Sequence, residues 1–419
     1  MFFDRPEKGL KTLLLSIRYK GPGFPRFEVR ETEDLAQSAG LDVEQTLSVE
    51  RQSPHPATCI GQGKVEELAV KISEHGLDLL LVDQGLTATQ QKNLEDHLKV
   101  RVMTRTELIL RIFEERARSY ERKLQVELAT LSHAQSHLVR GWTHLDRQRG
   151  AVNLRGVGEK QIAIDKYLLQ RRISTTQSRL DKVRRQRSQQ RRKRIRSRIP
   201  LVALVGYTNA GKSTLFNALT QSEIYSDDRL FATLDPTVRS MYVTEDFKIL
   251  LADTVGFIKH LPVDLVAAFK ATLEEVTNAD LLLHVMDASA PNLEEIQESV
   301  SETLHEIGAD SIPTISVFNK IDINGTEAGI RNDANYVSAT RELGLRDLNR
   351  YIAGRLRGIS RPYSIELKTT DGKVRSLLYQ MRVVEKETYT SDGRAVFKVN
   401  LARDQAHELE ARHGISLHG

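Results

Sequence analysis

Hydrophobic and polar residues alternate with two different periods over the first hundred positions. The runs KTLLLSI, DVEQTLSV, LDLLLVD and VRVMT predict strands, and the stretches between them carry apolar residues at helical spacing. Gly40 and Gly76 end two of the predicted helices, and Thr87 opens the third. Because strands and helices alternate over short connections, we expect a small α/β domain with a mostly parallel sheet over residues 1–105.

From Thr106 onward the spacing is helical. An apolar stripe that includes Leu124 and Leu131 predicts about 35 helical residues, a rod of ~50 Å. A segment over 141–158 with four glycines interrupts the pattern, and a second stripe follows that includes Leu169 and Leu180. Two long helices with facing stripes predict an antiparallel helical hairpin over residues 106–198, with a glycine-rich tip and a basic base.

The composition changes at Pro200, where the apolar run LVALV opens a second α/β pattern. We assign it to residues 199–360. In the remaining tail, YSIELK predicts a strand, KVRSLLYQ a helix, and the turn at residues 391–393 a hairpin. Residues 361–419 are therefore expected to form a small α+β domain.

Length and composition exclude several classes of protein. The chain has 419 residues, of which 40% are hydrophobic, enough to build cores and too many for a disordered or collagen-like chain. No apolar run approaches the ~18–20 residues that span a bilayer, and MFFDRPEKG lacks the apolar core of a signal peptide. A single cysteine, Cys59, excludes a disulfide framework. We expect a cytoplasmic protein with no membrane partner.

The net charge of +5 conceals an uneven distribution. Residues 166–198 contain fourteen Lys or Arg and one acid, Asp181. The block RRQRSQQRRKRIRSR ends this window, with only Ile195 as an apolar residue. A solvated helix face is one interpretation. A contact with a polyanion, nucleic acid rather than membrane, is the favoured one, because no apolar face accompanies the charge.

A phosphate-binding loop is the strongest chemical signal. GYTNAGKS fits G-x-x-x-x-G-K-[ST] between an apolar strand and a helical pattern. Backbone amides and the helix N-terminus would cradle the phosphates, Lys212 would reach the β- and γ-phosphates, and Ser213 would bind Mg²⁺. The nucleotide-binding positions assigned here are Gly206, Tyr207, Thr208, Asn209, Ala210, Gly211, Lys212, Ser213 and Thr214.

Two further segments are expected to meet the phosphates and the metal. The strand FKILLAD ends in Asp253, which would hold Mg²⁺ through water, and the amide of Gly256 would meet the γ-phosphate. Thr233 would complete the metal sphere when a triphosphate is bound, or would simply cap a turn. The binding positions assigned here are Phe231, Ala232, Thr233, Leu234, Asp235, Asp253, Thr254, Val255 and Gly256.

The choice of base is predicted from NKID after the strand TISVFN. A carboxylate at Asp322 accepts hydrogen bonds from N1–H and the amine of guanine, Asn319 suits N7 and O6, and the Lys320 stem can cover the base. Backbone amides in the segment Ser-Ala-Thr would serve O6. The positions assigned to the base are Asn319, Lys320, Ile321, Asp322, Ser338, Ala339 and Thr340.

These motifs, with HLPxDLVAAFKATLEE, PHPATCIGQGK and KLQVELA…LVRGWTHLDRQRG…LRGVGE, resemble the HflX family of ribosome-associated translational GTPases. The resemblance covers nearly the whole chain and is weakest in the first fifty residues and the tail. The nucleotide motifs are common to such GTPases, whereas the helical segment and its glycine loop are specific to this family. The usual sequence of that loop in the family is LRGPGETQ…D. This chain differs from it at three positions, where it has Val157, Lys160 and Ala163.

The resemblance implies a Ras-like GTPase domain that converts GTP to GDP and phosphate with Mg²⁺. It implies binding to the RNA of the large ribosomal subunit, and splitting or rescue of stalled ribosomes under stress, or a part in ribosome biogenesis. We expect a monomer that is cytoplasmic, associates with ribosomes and can reach a peripheral membrane fraction. Two alternatives are an NTP-driven protein that remodels ribosomal RNA and a membrane-regulating GTPase.

Phe257 and Asn209 carry two more specific expectations. Phe257 follows DTVG, where Ras-like enzymes have the glutamine that orients water, so no catalytic residue is assigned and hydrolysis should be slow until the ribosome stimulates it. Asn209 resembles the position at which some related GTPases bind potassium. Bonding within its own loop is the other interpretation.

The hairpin tip is a candidate RNA contact. Trp142, Arg147, Arg149 and Arg155 could stack on bases or pair with phosphates. Alternatively, Trp142 closes the apolar seam of the hairpin while the arginines stay in solvent.

Overall fold

Three β-sheets and a helical hairpin make up the described part of the chain. The computed structural model describes residues 9–21, 24–142, 155–196, 199–221, 230–231, 234, 236–245, 247–259, 273–358, 360–367, 371–381, 383–390, 394–402, 405–406, 409–410, 413 and 415–418. The predicted fold class is confirmed: a small parallel α/β unit, a hairpin, a larger α/β unit with a P-loop, and a small α+β unit follow one another.

The N-terminal sheet has four strands in the order β2-β1-β3-β4, and every strand pair is parallel. Helices cover both of its faces, as parallel sheets require. Its elements are β1 Lys11–Tyr19, α1 Val29–Ser38, β2 Asp42–Arg51, α2 Gln62–His75, β3 Leu79–Val82, α3 Ala88–Leu98, β4 Arg101–Thr104 and α4 Arg105–Arg116.

Local signals explain why these helices begin and end where they do. Thr87 and Gln90 form a capping box at the start of α3, in which each side chain bonds the other residue's backbone amide. Thr104 and Glu107 repeat this arrangement at α4. Gly76 ends α2 with a left-handed φ of +58°, a conformation that glycine adopts without strain.

The helical hairpin consists of α5 Tyr120–Trp142 and α6 Arg155–Arg196. Arg172 of α6 bonds Glu127 of α5 at 2.8 Å, and Leu169 packs against Leu131, so the helices run antiparallel as predicted. With 42 residues, α6 is ~63 Å long. In the described part of the chain, no helix is both long enough and apolar enough to cross a membrane.

Two details of the hairpin differ from the prediction. The expected rod from Thr106 is broken, because Ala117 is extended and the Ser119 hydroxyl accepts the Arg122 amide at 3.3 Å, which caps α5. The expected glycine-rich interruption at 141–158 is shorter, since α5 includes Trp142 and α6 begins at Arg155. Residues 143–154 lie outside the described residues.

The central sheet has seven strands in the order β10-β11-β9-β8-β5-β7-β6, parallel except for the β6–β7 and β10–β11 pairs. Its parallel strands end at one edge, where the predicted nucleotide motifs follow them. The elements are β5 Leu201–Val205, α7 Lys212–Thr220, β6 Thr237–Thr244, β7 Phe247–Asp253, α8 Glu274–Thr277, β8 Leu281–Asp287, α9 Leu293–Glu306, β9 Thr314–Asn319, α10 Ile321–Asn324, β10 Gly329–Arg331, β11 Ala334–Tyr336 and α11 Leu345–Gly358.

The C-terminal sheet is antiparallel, in the order β13-β14-β12-β15. Its own small core surrounds Phe397. The predicted strand, helix and hairpin are present, and the short strand β15 is an addition that the pattern did not predict. The elements are β12 Ser360–Leu367, α12 Gly372–Gln380, β13 Val384–Tyr389, β14 Ala395–Ala402 and β15 Leu417–His418.

One hydrophobic core joins the N-terminal sheet to the central sheet. It contains Leu14, Ile109 and Phe113 from the N-terminal unit, together with Phe231 and Ile258 from loops of the central one. The rings of Phe113 and Phe231 meet edge to face with centroids 4.6 Å apart. The loops beside the nucleotide site therefore share a core with the N-terminal sheet.

Asp83 lies buried at the end of β3, where burial raises its pKa to about 6. Its carboxylate accepts the Ser16 hydroxyl at 2.7 Å and the Ile17 amide at 2.9 Å, which partly offsets this shift. Since the folded-state pKa lies above the unfolded value, the protonated carboxyl stabilises the fold, and this stabilisation is lost as the pH rises from about 4 through 6.

We predict that Asp83→Asn removes that loss. An amide keeps the hydrogen bonds but does not ionise, so between pH 4 and 7 the variant should gain on the order of 2–3 kcal/mol of unfolding free energy relative to the parent. Urea unfolding, monitored by hydrogen exchange of peptides that cover β1, measures this difference in unfolding free energy. Asp96→Asn, at an exposed site on α3, is the control. Parallel pH profiles for the parent and Asp83→Asn would contradict the assignment.

Candidate nucleotide-binding site

The phosphate-binding loop connects β5 to α7. At Gly206, with φ +144°, a Cβ would lie 2.2 Å from the Val285 carbonyl oxygen, and at Gly211, with φ +85°, it would lie 2.3 Å from the Asn319 amide nitrogen. Only glycine fits both positions, so the backbone can curl with its amides free to face an anion. Tyr207, Thr208, Asn209 and Ala210 form the loop, and Lys212, Ser213 and Thr214 the first turn of α7.

Lys212 lies in the position expected for a phosphate-binding lysine. Its Nζ donates to the Tyr207 carbonyl oxygen at 2.6 Å, and only 6% of the residue is exposed. Burial lowers the pKa of Lys212 to about 8, although the Asp253 carboxylate opposes this shift. Phosphate oxygens beside Nζ would stabilise its charged form, so nucleotide binding and protonation of Lys212 favour each other.

Ser213 and Asp253 form the candidate magnesium site. The Ser213 hydroxyl donates to Asp253 Oδ2 at 2.7 Å, and the neighbouring Thr254 hydroxyl is fixed on the Leu204 carbonyl oxygen at 2.5 Å. A hydroxyl and a carboxylate are the hard oxygen ligands that Mg²⁺ prefers, so these residues fit the ion. Mg²⁺ would neutralise charge on the phosphate oxygens. Thr233, the third predicted ligand, lies outside the described residues.

Gly256 and Phe257 lie directly against the phosphate-binding loop. Phe257 donates its amide to the Gly206 carbonyl oxygen at 3.0 Å and accepts the Thr208 amide at 2.8 Å. A Cβ on Gly256 would lie 2.8 Å from Thr208 Cα and 3.0 Å from Lys212 Nζ. The Phe257 ring is buried in the core beneath the sheet, among apolar side chains that include Val205 and Ala252.

The segments that are predicted to recognise the base are bonded to one another. Asn319 donates to the Ala210 carbonyl oxygen at 3.1 Å and accepts the Ala339 amide at 3.0 Å, so it ties the phosphate-binding loop to the segment after β11. Asp322 accepts the Ser338 hydroxyl at 2.6 Å, which orients its carboxylate. The Ala339 amide thus donates to Asn319, and the expectation that backbone amides of Ser338, Ala339 and Thr340 serve guanine O6 stays a prediction.

Lys320 has a partner that the motif did not predict. Its Nζ lies 2.8 Å from Asp287 Oδ2, at the end of β8, and Asp287 also accepts the backbone amide and the hydroxyl of Ser289. Burial raises the pKa of Asp287, but the bonds from Lys320 and Ser289 outweigh it and lower the pKa overall. Asp287 therefore holds the lysine that is expected to cover the base. The sequence signal that could have indicated Asp287 is its place at the end of a buried strand.

Two described residues of the segment 231–235, which is predicted to contact GTP, lie against the N-terminal unit. Phe231 and Leu234 are both buried in the shared core. Leu230, just before them, receives the Arg116 guanidinium on its carbonyl at 2.6 Å and donates its amide to the Ser38 hydroxyl at 3.0 Å. These two side chains thus hold Leu230 in place. Ala232 and Asp235 lie outside the described residues.

The N-terminal unit also contacts the phosphate-binding loop, which the sequence did not predict. Glu31 accepts the phenolic hydroxyl of Tyr207, and Lys259 bonds Glu28 at 3.2 Å and Glu295 at 2.9 Å. A cleft between α1 and Thr208–Ala210 is lined by Glu28 and Glu31 among others. One wall beside the phosphate-binding loop therefore comes from the N-terminal unit.

The four candidate RNA contacts fall, in sequence, around the junction of α5 and α6. Trp142 is the last residue of α5 and Arg155 the first of α6, so both belong to the helices rather than to the tip. Arg147 and Arg149 lie outside the described residues.

Three family models match consecutive parts of the chain. The GTP-binding GTPase N-terminal model matches residues 27–114, and the GTP-binding GTPase middle-region model matches residues 116–194. The model described as a 50S ribosome-binding GTPase matches residues 201–320. These three matched segments correspond, in order, to the N-terminal sheet, the hairpin and the central sheet.

Curated relatives cover almost the whole chain. GTPase HflX of Escherichia coli is 45% identical over 406 residues, which is 95% of each chain. GTPase HflX of Magnetococcus marinus is 52% identical over 70% of this chain and 68% of its own. Among solved structures, a GTP-binding protein from Sulfolobus solfataricus in complex with GDP is 24% identical over 82% of this chain and 98% of its own, with a TM-score of 0.44.

Replacing Asp322 should change which base is accepted. Asp322→Asn exchanges one acceptor for a donor, which suits the C2 carbonyl of xanthine and not the amine of guanine. We predict that GTP affinity falls by about 100-fold, consistent with the loss of one or two charge-assisted hydrogen bonds, and that XTP binds more tightly than GTP. Competition of GTP and XTP against a fluorescent nucleotide measures this.

Asp347→Asn, at an exposed carboxylate on α11, is the matched control and should leave both affinities unchanged. An unaltered preference for GTP in Asp322→Asn would show that Asp322 does not read the base.

Proposed function

Because the chain belongs to the HflX family of GTPases and hydrolyses GTP, we propose that it binds the large ribosomal subunit and splits or rescues stalled ribosomes under stress. The nucleotide state would switch its affinity for ribosomal RNA. We propose further that it acts as a monomer in the cytoplasm.

The observation that carries this proposal is the position of the long basic helix. α6 extends for 42 residues, and the block of arginines near its end is followed within five residues by β5, which leads into the phosphate-binding loop. A cationic helix of this kind supplies sequence-independent attraction to phosphates of RNA. The match of the adjoining segment to the family model described as a 50S ribosome-binding GTPase supports the choice of the large subunit as the RNA-bearing partner.

Hydrolysis on the free protein should be slow. Since the Phe257 ring is buried, it supplies no group that orients the attacking water. We propose that the ribosome orders the site and accelerates the reaction, with Mg²⁺ held by Ser213, by Thr233 and, through water, by Asp253.

Sedimentation with purified subunits tests the proposal. We expect the protein to co-sediment with large subunits in a non-hydrolysable GTP analogue and much less with GDP, and its GTPase rate to rise at least tenfold on adding large subunits. Binding of free RNA with equal use of ATP and GTP would instead support an RNA-remodelling protein. Equal rates with and without ribosomes would contradict the proposed stimulation.

Arg147, Arg149 and Arg155 allow the proposed RNA contact to be tested by substitution in the same experiment. Arg147→Ala, Arg149→Ala and Arg155→Ala in one chain should weaken subunit binding and flatten its salt dependence, since fewer counterions are released, while nucleotide affinity stays unchanged. The matched control replaces the exposed Arg18, Arg331 and Arg350 by Ala. Unaltered binding and salt slope in the tip variant would leave the basic block of α6 as the RNA contact.

A potassium ion beside the phosphates is a further part of the proposal. Asn209 has a left-handed φ of +62° and an exposed side chain in the phosphate-binding loop, where its oxygen could reach such an ion. We predict that GTP hydrolysis in the presence of ribosomes is several-fold faster in potassium than in sodium chloride at equal ionic strength, and that Asn209→Ala abolishes the difference. Equal rates in both salts would show that Asn209 serves only the loop's own conformation.

A further inference from the structure

Tyr207, the second residue of the phosphate-binding loop, joins three parts of the molecule. Its carbonyl oxygen accepts Lys212 Nζ at 2.6 Å, inside the loop. Its phenolic hydroxyl donates to Glu31 of α1 and accepts the backbone amide of Lys259 at 3.0 Å. One side chain therefore connects the N-terminal sheet unit to the segment after β7.

The direction of these hydrogen bonds follows from the surroundings of the phenol. Burial, and next the Glu31 carboxylate, raise the pKa of Tyr207 above its usual range, so the hydroxyl keeps its proton. Glu31 is an acceptor, and the Lys259 amide is a donor. The single hydroxyl proton is thus directed at Glu31, which leaves an oxygen lone pair for the Lys259 amide.

Glu31 is itself held by the N-terminal unit. Arg105 Nη2 lies 3.0 Å from its carboxylate, and both side chains are nearly buried, with 4% and 11% of their surfaces exposed. The same guanidinium bonds the Thr32 hydroxyl at 3.3 Å and the Lys259 carbonyl oxygen at 3.4 Å. A buried charge pair with further bonds has a defined geometry, so the position of the phenol is determined from the N-terminal side.

Lys259 is held through each of its polar groups. Its amide is bonded to Tyr207, its carbonyl to Arg105, and its Nζ to Glu28 and Glu295. Two residues earlier, Phe257 is bonded to the phosphate-binding loop through both its amide and its carbonyl. Residues 257–259 are therefore fixed along their length.

Gly256 precedes this fixed segment and approaches Lys212 so closely that a Cβ would lie 3.0 Å from Nζ. The lysine is the group expected to reach the β- and γ-phosphates, and the Gly256 amide is the group expected to meet the γ-phosphate. Where Gly256 lies relative to Lys212 therefore determines how well a third phosphate is received.

We propose that Tyr207 is a positioning residue for the γ-phosphate: its hydroxyl, oriented by Glu31 and Arg105, holds Lys259 and thereby keeps Gly256 beside Lys212. The N-terminal unit thus contributes to the preference for GTP over GDP. This inference uses the GTPase activity alone and does not depend on the ribosome as partner.

Tyr207→Phe tests the proposal, because it removes the hydroxyl and keeps the ring. In the full-length protein with Mg²⁺, affinity for a non-hydrolysable GTP analogue should fall about five- to tenfold, as expected for the loss of one hydrogen-bonded junction, while GDP affinity changes less than twofold. Titration of a fluorescent nucleotide gives both constants. Tyr242→Phe, at an exposed tyrosine on β6, is the control and should change neither.

A double-mutant cycle distinguishes a specific effect of the hydrogen bond between Tyr207 and Glu31 from general stabilisation of the phosphate-binding loop. Glu31→Ala should reproduce the selective loss, and Glu31→Ala with Tyr207→Phe should lose little more than either change alone. If Glu31→Ala does not fold, the ratio of the two affinities in Tyr207→Phe decides. Equal losses for both nucleotides, independent effects in the cycle, or tighter binding of the GTP analogue would each overturn the proposal.

Discussion

The buried ion pair between Arg105 and Glu31 determines how the N-terminal sheet meets the nucleotide site. Two charges withdrawn from water are tolerated only with good geometry and further hydrogen bonds, and here those bonds come from Thr32, Tyr207 and the Lys259 backbone. Loss of one partner would leave the other charge buried and uncompensated, which typically costs about 3–5 kcal/mol. The polar groups of this junction therefore depend on one another. The apolar contacts around Phe113 and Phe231 also stabilise the interface, but they are not directional.

The nucleotide loops are arranged by bonds between them as well as by the sheet. The carboxyl ends of parallel strands bring them to one edge, but Asn319 joins Ala210 to Ala339, Ser213 meets Asp253, and Ser338 orients Asp322. Side chains with such second contacts lose less freedom when a ligand arrives. Because these bonds join the loops, a change in the position of one loop also affects the position of the next.

The sequence predicts features whose causes are local. Gly76 as a helix end, Thr87 as a helix start and the G-x-x-x-x-G-K-S loop each act within a few residues, and the pattern predicts all three. The pattern does not predict the break at 117–119, because the apolar stripe continues across it and a serine cap decides the boundary. The bond from Tyr207 to Glu31 joins positions 176 residues apart, and no periodicity encodes it. Long-range contacts of this kind depend on how two completed sheets pack.

Burial of the Phe257 ring limits which residues can replace it. Its ring packs with Val205 and Ala252 beneath the sheet, so exchange for the glutamine of Ras-like enzymes would leave a cavity and place an amide among apolar groups. A substitution at position 257 therefore affects folding before it affects hydrolysis. With this core, any group that orients the attacking water has to come from outside the Phe257 side chain, so packing and catalysis make opposite demands on one position.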